Sequence, residues 1–319
     1  MRLKMESNEK LFCFDLEGPI SLNDNCKDIA KELGLIRVFD ILDRYDDILY
    51  YQKKSCIGST LRFILPFFIE KKLDKSRMRQ ISEKTVLAKN IDAAIISAKQ
   101  KGIMSIISTS YEIHSYAIGK KVGVKEENIY STKINLDGIL TPKDKELIEN
   151  IIRQSVYLNK KSDSELEDYM NAFFSSISKP IEQIVNDTIV IGGFEKKQKA
   201  DELMRKNNIL GKNIVAIGDS IVDIEMLEFA SAVGGFSLCI NAKKEAIDSA
   251  DFALCSLDRK HLVSLFETFE KSGKDGLIDL ATRQSGNPDY VFSYLRNLGK
   301  NEKNKIIELH KSMRKYIRG

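Results

Sequence analysis

The sequence predicts an α/β fold on a parallel sheet, and three observations predict it. Short apolar runs recur, each ending in small or acidic residues: 11–14 before Asp15, 103–107 before Ser108, 188–191 before Gly192 and Gly193, and 214–217 before Gly218, with a further β-like run over 235–240. Continuous apolar runs bounded by turn residues suit strands covered on both faces. Helical patterns such as 112–122 and 198–207 lie between these runs, and strand–helix alternation is the mark of a parallel sheet. Finally, the strand-like runs are unevenly spaced, so extra segments are set into the sheet domain.

Taken in order, the run at 11–14 opens the sheet. About 80 residues then separate it from the second run, with helical patterns over 24–33, 46–54, 59–72 and 76–88. A simple crossover needs about a dozen residues, so 23–87 is expected to be a helical cap. A second surplus, 141–186, is polar and helical (145–158, 164–177) and is expected to be a helical insertion. The sheet core then comprises 1–22, 88–140 and 187–256. Residues 257–319 form a C-terminal helical extension, with a Gly/Asn/Pro-rich stretch (272–275, 285–289) ahead of a basic tail. Ligands of such sheets bind at the carboxyl ends of the strands.

The 319 residues are 43% hydrophobic and 30% charged, an ordinary globular composition. A formal charge of +4 argues against whole-surface nucleic-acid binding. No apolar run approaches the length that spans a bilayer, and the first ten residues lack the apolar core of a signal peptide. Five scattered cysteines without a CxxC pair and three distant histidines argue against a disulfide framework or a Cys/His metal cluster. A cytoplasmic location is the expectation. The tail over 296–319 carries eight basic and two acidic residues, a net +6 that leaves the remainder at −2. Ile306, Leu309, Met313 and Ile317 recur there at helical spacing opposite the basic face. Such a helix packs on its own body or meets a protein partner; nucleic acid is not expected.

Chemistry concentrates at the strand ends. Asp15 and Glu17 follow the first strand two residues apart, so in extended chain they project to one side. One would serve as nucleophile or metal ligand and the other as proton donor and acceptor, although acids after strands also serve turns and caps. Asp219 and Asp223 follow Gly218; carboxylates are the ligands Mg²⁺ prefers, while Asp219 or Ser220 would equally cap the next helix. Ser108 and Thr109, with Ser110, end the second strand before a helix, where hydroxyls and amides make an anion site or a plain cap. Lys196, Lys197 and Lys199 precede the fourth strand.

The order of these groups resembles the four motifs of the haloacid dehalogenase superfamily of phosphohydrolases, carried on a Rossmann-like sheet. The run from Asp15 to Gly34, and Val215 to Asp219 with Asp223 to Leu227, are most similar to phosphoserine-phosphatase-type members. That resemblance covers roughly 10–140 and 187–256. It implies a Mg²⁺-dependent phosphohydrolase or phosphotransferase acting on a small phosphorylated metabolite. Asp15 would be the nucleophile forming an aspartyl-phosphate and Glu17 the acid and base. Mg²⁺ would be held by Asp15, the Glu17 carbonyl and Asp219, with Asp223 nearby or acting through water. Ser108, Thr109 and Lys199 would bind the phosphoryl oxygens, with Lys196 and Lys197 as alternatives to Lys199. Asp24 would meet a substrate amine and Arg62 a carboxylate. Two positions depart from the phosphoserine-phosphatase pattern: Glu17 stands where Asp is usual, and Val222 where Asn is usual. The whole-chain layout also resembles an archaeal group in the superfamily described as an accessory subunit (subunit R) of an energy-converting hydrogenase, which implies a non-catalytic scaffold as the alternative.

Overall fold

The computed structural model describes residues 9–283 and 290–318; the expected loop at 285–289 lies outside them. In chain order the elements are β1 (Lys10–Phe14), α1 (Asn25–Glu32), α2 (Ile36–Tyr51), α3 (Thr60–Phe63), α4 (Leu65–Glu70), α5 (Lys75–Glu83), α6 (Ile91–Lys101), β2 (Gly102–Tyr111), α7 (Glu112–Val122) and β3 (Ile129–Thr132). There follow α8 (Pro142–Leu158), α9 (Asp163–Ser176), α10 (Lys179–Asp187), α11 (Phe194–Lys206), β4 (Ile214–Gly218), α12 (Ile224–Ala232), β5 (Phe236–Ile240), α13 (Lys244–Ser249), β6 (Phe252–Ser256), α14 (His261–Arg283, broken at Gly273), β7 (Tyr290–Tyr294) and α15 (Lys300–Arg318).

The sheet order is β3-β2-β1-β4-β5-β6-β7. All neighbours are parallel except β6 and β7. The α/β expectation holds, and β1 shows why. Its side chains alternate between two buried faces. Phe12 and Phe14 join Ile95 of α6, Ile118 of α7 and Phe266 of α14 on one side. Leu11 and Cys13 join Ala200 and Leu203 of α11, Met226 of α12 and Ile247 of α13 on the other. The chain leaves β1 toward β2 on one side and reaches β4 on the other, so the crevice at their carboxyl ends is the switch point where such sheets bind ligands.

One expected strand is absent. Residues 188–191 run extended from α10 to α11 without joining the sheet. The Ile191 amide donates to the side-chain Oγ1 of Thr132 at the end of β3, at 3.0 Å, rather than to a strand carbonyl, and Ile189 is 70% exposed. The run is apolar because it threads from one core to another. Tertiary position overrides its strand propensity.

The third core lies above the sheet. Helices α1–α5 bury one apolar body together with α8–α10. Tyr45 stacks on Phe174, and Phe67 on Phe173, at 5.9 and 5.5 Å between centroids. Arg44 reaches across to Asp163 and to the Lys161 carbonyl. The 141–186 segment therefore shares its core with the 23–87 helices. At the other end of the chain, α15 lays Ile306 and Ile307 on the α11–α13 face of the sheet and buries His310. Among the described residues no helix is long and apolar enough to cross a membrane.

Candidate active site

Asp15 emerges from the carboxyl end of β1, the strand flanked by β2 and β4. Its amide donates to the Ile217 carbonyl, and its Oδ1 accepts from the Leu16 amide at 2.8 Å. Neighbouring β4 ends at Gly218. A Cβ there would stand 2.5 Å from the Asp223 side chain, so glycine allows the following turn to fold back on the strand. In that turn Asp223 Oδ2 accepts from the amides of Asp219 and Ser220 at 2.9 and 3.1 Å. Asp15, Asp219 and Asp223 are 4%, 2% and 0% exposed, and each offers one oxygen within 4.8 Å of the others.

A single buried lysine joins them. Lys196, in the first turn of α11, donates to Asp15 Oδ1 and Asp223 Oδ1, both at 2.7 Å. Burial alone would lower its pKa, but the two carboxylates outweigh that and hold it above its ordinary value, so the ammonium stays charged. Asp15 moves upward, because burial and the Asp223 charge outweigh the lysine. Three buried carboxylates against one ammonium leave an excess of negative charge. An all-oxygen donor set with that excess fits a hard divalent cation such as Mg²⁺.

Glu17 follows on the same loop. Its Oε1 accepts from the Asn25 amide at 2.8 Å and lies 4.0 Å from His114 Nε2. Burial, then the nearby Asp24 charge, pushes Glu17 up to about 8, so its carboxyl keeps a proton to higher pH than an ordinary glutamate does. Arg259, fully buried, pins this loop from the far side by donating to the carbonyls of Gly18, Pro19 and Ser256.

Asp15, Glu17 and Asp219 face a cavity of about 170 Å³ between sheet and cap. Its lining includes Asp15, Glu17, Asp219 and Val222 from the sheet, Thr109 and Ser110 from the end of β2, and Asp24, Asp43 and Asp47 from the cap. Thr109 Oγ1 is buried without a hydrogen-bond partner. The cap closes on it through 55–60, where Asp46 accepts from the amides of Gly58 and Thr60 at 2.9 and 3.2 Å. Gly58 has φ +88°, and a Cβ would stand 3.0 Å from Thr109 Cγ2, so glycine is needed for both conformation and approach.

Asp15, Glu17, Thr109, Asp219 and Asp24 line this cavity and Asp223 adjoins Asp15 and Asp219, with three corrections to the expected set. Lys199 pairs with Glu202 at 2.8 Å and lines a separate groove of about 830 Å³ beside β3 and α10. Lys196 takes the place expected for it, because only one lysine of α11 lies on the face shared with Ala200 and Leu203. Ser108 is buried behind the cavity, its Oγ accepting from the Ser110 amide at 3.1 Å, since β2 continues past it to Tyr111. Arg62 points away into the cap, donating to Ser55 Oγ at 2.8 Å and lining a different pocket with Tyr45 and Phe174. Asp24 lines the cavity while capping α1 through the Lys27 amide. Ser110, named in the sequence only alongside Ser108 and Thr109, lines the cavity, as do Lys243 and Arg314, which no sequence motif placed there.

Among solved structures, a gene product (AF1437) from Archaeoglobus fulgidus is similar over 98% of this chain and 97% of its own, with TM-score 0.85 and 23% identity. A substrate-bound phosphoserine phosphatase complex covers 82% of this chain and 99% of its own, with TM-score 0.53 and 15% identity. At these identities the likeness is one of fold. No curated protein matches the chain. A family model described as haloacid dehalogenase-like hydrolase matches residues 69–261, more than half the sequence. With the seven-stranded sheet and the acidic strand ends it carries, the chain belongs to the haloacid dehalogenase-like hydrolases.

Proposed function

We propose that this chain is a Mg²⁺-dependent phosphomonoesterase acting on a small phosphorylated metabolite through an aspartyl-phosphate at Asp15. One observation carries the reading: Lys196 is buried between Asp15 and Asp223, and Asp15 opens together with Asp219 and Glu17 onto a cavity of about 170 Å³, room for a small leaving group. Mg²⁺ held by Asp15, the Glu17 carbonyl oxygen, Asp219 and Asp223 would supply positive charge against the phosphoryl oxygens.

An Asp15 carboxylate oxygen attacks phosphorus, and the ester P–O bond breaks as Glu17 delivers its proton to the departing oxygen. The resulting Glu17 carboxylate then takes a proton from the water that attacks the phosphoryl group. That step breaks the bond to Asp15 and restores both residues. Lys196 offsets the repulsion between carboxylate and phosphate. Thr109 and Ser110 supply donors to the phosphoryl oxygens, and Ser108 holds the Ser110 amide. The acidic cap wall of Asp24, Asp43 and Asp47 favours a leaving group without negative charge, consistent with Arg62 lying elsewhere.

The test is phosphate release from a panel of small phosphomonoesters with Mg²⁺, run beside Asp15→Asn. The reading expects turnover that falls by at least about 10³-fold in the variant. Equal rates in the two proteins, or no turnover on any ester, contradict it.

A further inference from the structure

The carboxylate of Asp219 has a partner that no strand-end motif supplies. Arg314, near the end of α15, pairs through Nη1 with Asp219 Oδ2 and also donates to the Asn241 carbonyl at 3.1 Å. This is the reach of a docked helix. His310, 1% exposed, accepts from the Ala242 amide through Nδ1 at 2.8 Å. Lys303 pairs with Asp248 at 2.7 Å, and Ile306 and Ile307 rest on the sheet's helical layer. The docked helix fixes where the guanidinium stands, over the carboxyl ends of β4 and β5.

Charge decides what that position means. Lys196 serves Asp15 and Asp223, leaving a net −2 on the three-carboxylate cluster, the charge a divalent cation balances. Arg314 takes this to −1, and a guanidinium cannot shed its proton to relieve the conflict. A divalent cation and the guanidinium therefore repel one another across a shared carboxylate, and each weakens the other's hold by the same factor.

We propose that Arg314 is a built-in competitor of the catalytic cation: it holds Asp219 when the cation is away, and cation binding loosens it and the last turns of α15. The proposal rests on the phosphohydrolase reading for the identity of the cation site, and it adds a regulation of that site by the C-terminal helix.

The experiment is titration calorimetry of the full chain with Mg²⁺, comparing wild type, Arg314→Gln and Arg314→Lys, with a thermal melt to confirm that each folds. Arg314→Gln is expected to bind Mg²⁺ about tenfold more tightly, within the usual range of coupling between sites. Arg314→Lys, which keeps the charge, is expected to stay near wild type. Amide exchange over 310–318 in the wild type is expected to rise when Mg²⁺ is added. Unchanged or weaker binding by Arg314→Gln, with the wild type binding normally, overturns the competition and leaves the phosphohydrolase reading standing. No Mg²⁺ binding by any of the three overturns both.

Discussion

Lys196 and Lys199 are three residues apart, bear the same charge and sit on the same helix, yet one is fully buried between two carboxylates and the other pairs with Glu202 on the surface. Replacing Lys196 with Ala is expected to cost about 10²- to 10³-fold in kcat, the range for removing one charge-stabilising donor. Lys199→Ala is expected to stay within a few-fold of wild type; steady-state kinetics of the pair check both. Sequence alone left three lysines open. A signal was present: Ala200 and Leu203 stand four and seven residues beyond Lys196, the spacing of a helix's buried face. By contrast, the placement of Asp15 and Asp219 was legible because an apolar strand that ends in a carboxylate leaves that group at a sheet's ligand-binding edge. Arg259 and Arg314 had no such local pattern, since their partners lie about 240 and 95 residues away. Glu17, raised to about 8 by burial and Asp24, makes a separate prediction. Turnover of an alkyl phosphate, whose leaving oxygen needs a proton, should fall as pH rises past about 8. That limb should vanish in Glu17→Gln.

At the scale of elements, amphipathic pattern shows that a face is buried but not against what. The segment 141–186 reads as an insertion with helices over 145–158 and 164–177; α8 and α9 fall there, α10 is a further helix, and the apolar faces of all three complete the cap's core rather than one of their own. The run at 188–191 reads as a strand because it is apolar on both sides, and it is apolar because it passes between cores. Of the stripe on α15, Ile306 packs with its neighbour Ile307 on the chain's own sheet domain, while Leu309 stays 37% exposed and His310 is the buried residue. That docking depends on a neutral His310. Burial, then the Arg314 charge, lowers its pKa from an ordinary 6.5 to about 4, so the unfolded chain takes up this proton before the folded one does. The contribution is present in full above about 6.5 and is lost as pH falls toward 4, an amount of about 3 kcal/mol. Gln at 310 keeps an acceptor for the Ala242 amide and does not titrate. Melting profiles from pH 7 to 4.5 should therefore fall more steeply for wild type than for His310→Gln.

Across the whole molecule, three packed layers converge on one small volume. The sheet presents Asp15 and Asp219 at its switch point, α11 delivers Lys196, the cap closes through Gly58, and α15 brings Arg314 from the far end of the chain. The near-neutral total charge conceals this arrangement, because a body at −2 meets a tail at +6 and one arginine of that tail reaches the acidic site. In the proposed mechanism Asp15 carries the phosphoryl group. Acid-quenched turnover of an accepted phosphomonoester, followed by peptide mass mapping, tests it most directly. One added phosphoryl group is expected on the peptide containing Asp15, absent in Asp15→Asn. Phosphate release with Asp15 unmodified at every quench time, or a phosphoryl group on another residue, would contradict it.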